Sequence, residues 1–198
     1  MANLPKDTIE GYLVFTSVSK PKLKYKSDKE YEYGVTVVLS KEDAKEFKKR
    51  KLNKTVKEVD TSEFLEKFKI EAPFPDQDEQ YLVTLTQNVT KMDGTPLPDF
   101  LRPQVYLKVE NGNELITDKD IANGSYGTVR YSQREGENGI SIKLDAIQLT
   151  TFIPYVNTSV DEWAGSVINR PTATPTQPVV AKVVAPKAVV DMDDDLPF

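Results

Sequence analysis

The chain has 198 residues, a formal charge of -5 and a mean hydropathy of -0.47, enough for one cored domain plus an appendage and too little for most multidomain enzymes. It has no cysteine and no histidine, which excludes thiolate nucleophiles, imidazole bases, zinc fingers, histidine-built metal sites and iron–sulfur clusters. Carboxylate, Ser/Lys or Mg²⁺ chemistry stays open, as does the absence of catalysis.

No apolar run approaches the roughly 20 residues that span a bilayer. The N-terminal MANLPKDTIEG has no basic segment followed by an apolar one, so a cytoplasmic protein without membrane contact is expected.

Alternating segments rich in β-branched and aromatic residues predict strands at 9–18, 31–39, 81–90, 104–110, 125–134 and 140–153. Six strands separated by turn signals predict a small barrel or sandwich. Helices interrupt them. Ser40, with Asp43 three residues on, predicts a helix start; Glu42 and Asp43 fill its first turn and Lys48, Lys49, Arg50 and Lys51 its last. Ala44, Phe47 and Leu52 give this helix a narrow apolar stripe. A second helix is predicted at 61–69 with Phe64, Leu65 and Phe68 inward, and a third at 159–168 with Trp163 capping the barrel.

TDKDIANG at 117–124 fails as a calcium loop, since Ala122 and Asn123 stand where a ligand and a glycine are needed, and predicts a turn and helix start instead. EGENG at 135–139 predicts a hairpin turn. In the hairpin, Val129 and Tyr131 point inward with Ile140, Ile142, Leu144 and Ala146. The break in alternation at Ala146 and Ile147 predicts a β-bulge, which favours closure over a flat sheet.

Two surfaces carry candidate chemistry. In KPKLKYK, Lys20, Lys22, Lys24 and Lys26 recur at period two around Tyr25, and in an extended segment that spacing lines ammonium groups along one edge at roughly 6.5–7 Å. A solvated hairpin loop explains the same lysines. The second surface is the outer face of the 125–145 hairpin, where Tyr126, Arg130, Ser132 and Arg134 join Ser141, Lys143 and Asp145. Tyr106 and Lys108 repeat the pattern one strand earlier. Aromatic faces beside guanidinium donors suit stacked bases flanked by phosphates, and an ordinary polar outer face with cross-strand ion pairs is the plain alternative.

The end of the chain differs from the rest. Residues 171–190 are rich in Pro, Thr, Ala and Val and predict a disordered linker. After it come Asp191, Asp193, Asp194 and Asp195, then Leu196, Pro197 and Phe198. This flexible acidic run has nothing to fix a coordination geometry, so no metal and no cofactor are expected.

MDDDLPF closely resembles the C-terminal tip of bacterial single-stranded DNA-binding proteins, with Leu196 where that family has isoleucine. The run YGTVRYSQREGENGISIKLDAIQL and the chain length resemble single-stranded DNA-binding proteins of tailed bacteriophages, the T7-like class included. The resemblance implies a mainly β chain: an OB-fold five-stranded Greek-key barrel with inserted helices over 1–170, the disordered linker at 171–190 and a partner-binding acidic tip at 191–198.

It further implies sequence-nonspecific coating of single-stranded DNA during replication, recombination or repair, without enzymatic activity. The tip would recruit replication or recombination proteins such as a polymerase, helicase-primase or nuclease, and a homodimer is compatible with it. Charge segregation agrees: residues 20–69 hold 15 Lys/Arg against 10 Asp/Glu, whereas 171–198 hold two lysines against four aspartates. Two other classes stay open. One is a β-rich interaction or virion protein with no nucleic-acid role, the other a Mg²⁺-dependent nuclease using Asp118, Asp120 and Asp145.

Overall fold

The computed structural model describes residues 5–91, 94–137 and 139–156. The predicted 159–168 helix, the linker and the acidic tip lie outside the described residues. Eight strands form one sheet: β1 (Lys6–Leu23), β2 (Tyr31–Leu39), β3 (Val56–Asp60), β4 (Glu79–Asn88), β5 (Gln104–Val109), β6 (Gly112–Leu115), β7 (Ser125–Gly136) and β8 (Gly139–Thr151). Their spatial order is β3-β4-β2-β1-β7-β8-β5-β6.

The fold is mainly β, and the five strands β4-β2-β1-β7-β8 follow the OB order. β4 and β8 share no ladder but send Val83, Leu85, Leu144 and Ile147 into the same interior as Leu13, Val35, Val37, Val129 and Tyr131, so the sheet closes through its core. Where β1 crosses β7, Gly11 faces Gly127. A Cβ on Gly11 would collide with the Val38 carbonyl and one on Gly127 with the Gln148 carbonyl, so tight coiling of four strands requires both glycines.

β2 is buried on both faces because a second layer covers its outside. Helix α2 (Thr61–Phe68) stacks Phe64 on Phe68 at 4.3 Å and packs them against Val14, Val38 and Leu82. Leu65, predicted inward, is exposed: an eight-residue helix lying on a sheet buries one (i, i+4) pair, and Leu65 is rotated away from it. Helix α1 (Lys41–Lys49) is capped by Ser40, whose Oγ accepts from the Asp43 N–H at 3.1 Å and donates to the Asp43 carboxylate at 2.6 Å. Its Phe47 meets Tyr131 edge-on at 6.3 Å. Leu52 reaches the core from beyond the helix, through a bridge to Ile140.

Other boundaries differ from the prediction. β1 extends well past residue 18, β3 and β6 are additional short strands, and 117–120 is a turn with no helix following. The bulge is present, and its extra residue is Asp145, since Tyr131 faces Leu144 while Arg130 faces Ala146. Ala146 therefore sits on the outer face, opposite Arg130, and Ile147 takes the inward position opposite Val129. Among the described residues no helix is long and apolar enough to cross a membrane.

Candidate nucleic-acid interface

Closure without a ladder leaves a cleft of about 490 Å³ beside the β4–β8 seam. Thr86, Gln87 and Asn88 end β4 on one side, Arg134, Ser141 and Lys143 of the hairpin stand on the other, and Thr90, Lys91, Leu97 and Leu101 come from the connecting segment. Its described lining holds three cations and no acid, and none of the three pairs with a carboxylate among the described residues. Such a cleft concentrates positive potential where a polyanion can lie. Arg134 and Lys143 were legible in the hairpin pattern. Lys91 and the amides of β4 were missed, because an isolated lysine in a polar connection carries no periodic signal.

A second, smaller pocket of about 390 Å³ opens on the outer face of β5, β7 and β8. It brings together the predicted Tyr106 and Arg130 with Thr8, Asn113, Thr128 and Gln148, over Ala146. Lys108 shares the face of Tyr106 further along β5 and is exposed.

The lysine run does not form a single row. Lys20 and Lys22 lie on β1, but the strand ends at Leu23, Lys24 and Tyr25 enter the turn, and Lys26 adopts a left-handed φ of 61°. Period two is lost where the chain must reverse to pair with β2. Two of the cations are answered by acids, Lys20 by Asp120 at 2.8 Å and Lys24 by Glu30 at 2.9 Å. In both lysines a hydrogen bond from the ammonium to the acid raises the pKa. Tyr25 is 84% exposed, with the Lys26 ammonium 5.4 Å from its ring centre.

Tyr126 keeps its predicted phase but not its company. It lies at the opposite end of β7 from Arg134, its ring meets Tyr12 edge-on at 4.9 Å, and Tyr12 in turn meets Phe74 at 5.9 Å. Burial raises its phenol pKa first, and a hydrogen bond with Glu10 adds to the rise. That corner is aromatic and acidic rather than cationic.

The three carboxylates of the nuclease reading are engaged separately. Asp118 meets Arg102 at 3.2 Å, Asp120 meets Lys20, and Asp145 accepts from Ser132 at 2.9 Å. Among the described residues no three acids converge on a metal position. Arg102, absent from the predicted set, fastens the bend of β1 by donating to the Ser19 carbonyl at 3.0 Å, with its guanidinium 5.6 Å from the Tyr33 ring centre.

No protein-family model matches the chain, and no curated protein matches it. Among solved structures it is similar to the single-stranded DNA-binding protein from bacteriophage Enc34, at 13% identity over 79% of this chain and 87% of that one, with a TM-score of 0.43. The same protein in complex with ssDNA is similar at 15% identity over 76% and 89%, with a TM-score of 0.42. It is also similar to gp2.5, a single-stranded DNA binding protein encoded by bacteriophage T7, at 13% identity over 86% of this chain and 100% of that one, with a TM-score of 0.42.

Proposed function

We propose that this chain binds single-stranded DNA without marked sequence preference, coats it during replication, recombination or repair, and recruits partner proteins through residues 191–198. The observation that carries the DNA reading is the seam cleft, where Lys91, Arg134 and Lys143 stand without a neutralising acid among the described lining. Cations at a groove supply sequence-independent affinity, and the cleft has no helix face of the kind that reads base edges in a duplex groove. A body with this groove stays compatible with a net charge of -5, because what a bound strand meets is the local lining, which holds cations and no acid among the described residues. The recruitment reading rests on the sequence of the tip, an acidic run ending in Leu196, Pro197 and Phe198.

The test is anisotropy with labelled oligo-dT and duplex of equal length at two or more salt concentrations. The proposal expects oligo-dT to bind more tightly than duplex, with log affinity falling by about 0.7 per contacted phosphate for each unit of log salt. Lys143→Gln and Arg134→Gln should each lower that slope. Salt-independent binding, or none, overturns the reading. For the tip, deleting Phe198 should abolish pull-down of replication proteins while leaving oligo-dT affinity unchanged.

A further inference from the structure

We infer that the pocket formed by Tyr106, Asn113, Thr128, Arg130 and Gln148 holds one nucleobase of a bound single strand, gripped mainly by uncharged groups. The inference rests on the proposed function and adds a division of work to it: the seam cleft takes phosphates, and this pocket takes a base.

The two sites differ in chemistry. The seam cleft has three cations, whereas the pocket has Arg130 alone, one aromatic ring, two carboxamides and two threonines. Its volume of about 390 Å³ lies at the small end of the roughly 300–1,000 Å³ of small-ligand sites. Tyr106 stands directly opposite Gln148 in the parallel β5–β8 ladder, and Thr128 faces Gln148 from the other side. The Gln148 Nε2 donates to Asn113 Oδ1 at 2.8 Å, which fixes both amides. This leaves the Gln148 carbonyl oxygen to accept and the Asn113 amide group to donate, both on residues that line the pocket. Base edges present the complementary pairing of donor and acceptor, and carboxamides are regular partners for them. A phosphate would meet the Gln148 carbonyl oxygen as a repulsive neighbour.

The bulge opens the pocket. Insertion of Asp145 moves Ala146 onto the outer face opposite Arg130, where its single methyl forms a low floor between longer side chains. Without the bulge, pairing continued from Tyr131 and Leu144 would set Asp145 opposite Arg130, turn Ala146 inward and put the bulky Ile147 on the outer face opposite Thr128. Arg130 also links the sites, since it precedes Arg134 by four residues on β7, about 13 Å along the strand. A stretched single strand crosses that distance in a few nucleotides, with Arg130 at the pocket rim and Arg134 at the seam.

The experiment compares oligo-dT with an abasic oligonucleotide of the same length and charge, for wild type, Tyr106→Ala, Tyr106→Phe, Gln148→Ala, Asn113→Ala and Lys143→Gln, at several salt concentrations. Tyr106→Ala and Gln148→Ala should weaken oligo-dT binding by about tenfold with an unchanged salt slope. Both should bind the abasic strand as wild type does, and Tyr106→Phe should bind like wild type throughout. Lys143→Gln should weaken both ligands alike and reduce the slope. If Tyr106→Ala fails to fold, Gln148→Ala and the exposed Asn113→Ala carry the same comparison. The pocket assignment is overturned if these variants bind oligo-dT as wild type does, or if they lose the abasic strand equally. Failure of the wild type to bind any oligonucleotide overturns the proposed function instead.

Discussion

Lys20 donates to Asp120 at 2.8 Å, joining the far end of β1 to the turn before β7 across 100 positions of the chain. Ser19 donates to the other oxygen of the same carboxylate. The Lys20 hydrogen bond, and then that of Ser19, hold the Asp120 carboxyl below the usual range. A lysine engaged in this way is not free to meet a phosphate. Asp120→Asn should therefore release it, raising oligo-dT affinity modestly at low salt and steepening the salt slope, whereas Lys20→Gln in the wild type should change little. The sign of the pH effect follows from the depressed pKa. The carboxylate's contribution to stability is present above the usual carboxylate value and is lost as pH falls through its lower folded value. Acid unfolding of Asp120→Asn against wild type would reveal that difference, which should be small for an exposed pair.

Tyr131 is fully buried, yet its hydroxyl reaches Arg50 at 2.6 Å and Asp7 at 3.2 Å, while Arg50 also pairs with Asp7 at 2.8 Å. The three side chains tie the end of α1 to the start of β1. Tyr131→Phe should cost about 0.5–1.5 kcal/mol in urea unfolding. Tyr131→Ala should cost roughly 3–5 kcal/mol through the cavity it leaves in the barrel. Neither should change the salt slope of DNA binding in protein that remains folded.

Lys54 is half-buried, and burial pushes its pKa below the usual lysine value despite the opposing effect of Glu32. The folded state therefore holds this proton less well than the unfolded chain does. The resulting penalty is full below the depressed pKa and disappears as pH rises toward the unfolded lysine value. Lys54→Met should be more stable than wild type at neutral pH, and the gap between their melting temperatures should narrow in alkaline buffer. An equal gap at both pH values would show that packing, not charge burial, separates the two proteins.

Tyr126→Ala should behave as a packing lesion. Its ring is held against Tyr12 at a corner that includes Glu10, and it is not among the residues lining either cleft. Thermal stability should fall while oligo-dT affinity of the folded fraction stays unchanged. Loss of affinity at full stability would move the strand's path to that corner.

Much of this was legible because burial imposes period two. Gly127, Val129 and Tyr131 alternate against exposed Arg130, and the structure keeps that phase along β7 up to Tyr131, while on β8 the bulge turns Ala146, expected inward, to the outer face. The Ser40 cap and the Phe64/Phe68 pair were legible for the same reason, since local geometry links each residue to a near neighbour. The pairings that build the clefts are not local. Nothing in QVYLKV announces that β5 will lie parallel to β8 and set Tyr106 opposite Gln148. Asp145, rather than either of the mismatched apolar neighbours after it, proved to be the inserted residue, because Arg130 across the ladder selects Ala146 as its partner. Charge was the least legible property. The sequence shows four lysines at even spacing, and only the fold shows which of them have an acid at hand.

The Asp7–Tyr131 contact spans 124 positions of chain, and the whole β1–β7 ladder is of this kind. During synthesis β1 can pair early with β2, but its other edge must wait until β7 has been made. Until then the barrel is an open ribbon with a long unpaired edge and an uncovered apolar face. Such late, distant closure makes folding slow relative to helical domains and exposes the nascent chain to edge-to-edge association. Both clefts use residues from the β7–β8 hairpin, so neither is complete until β8 has been made.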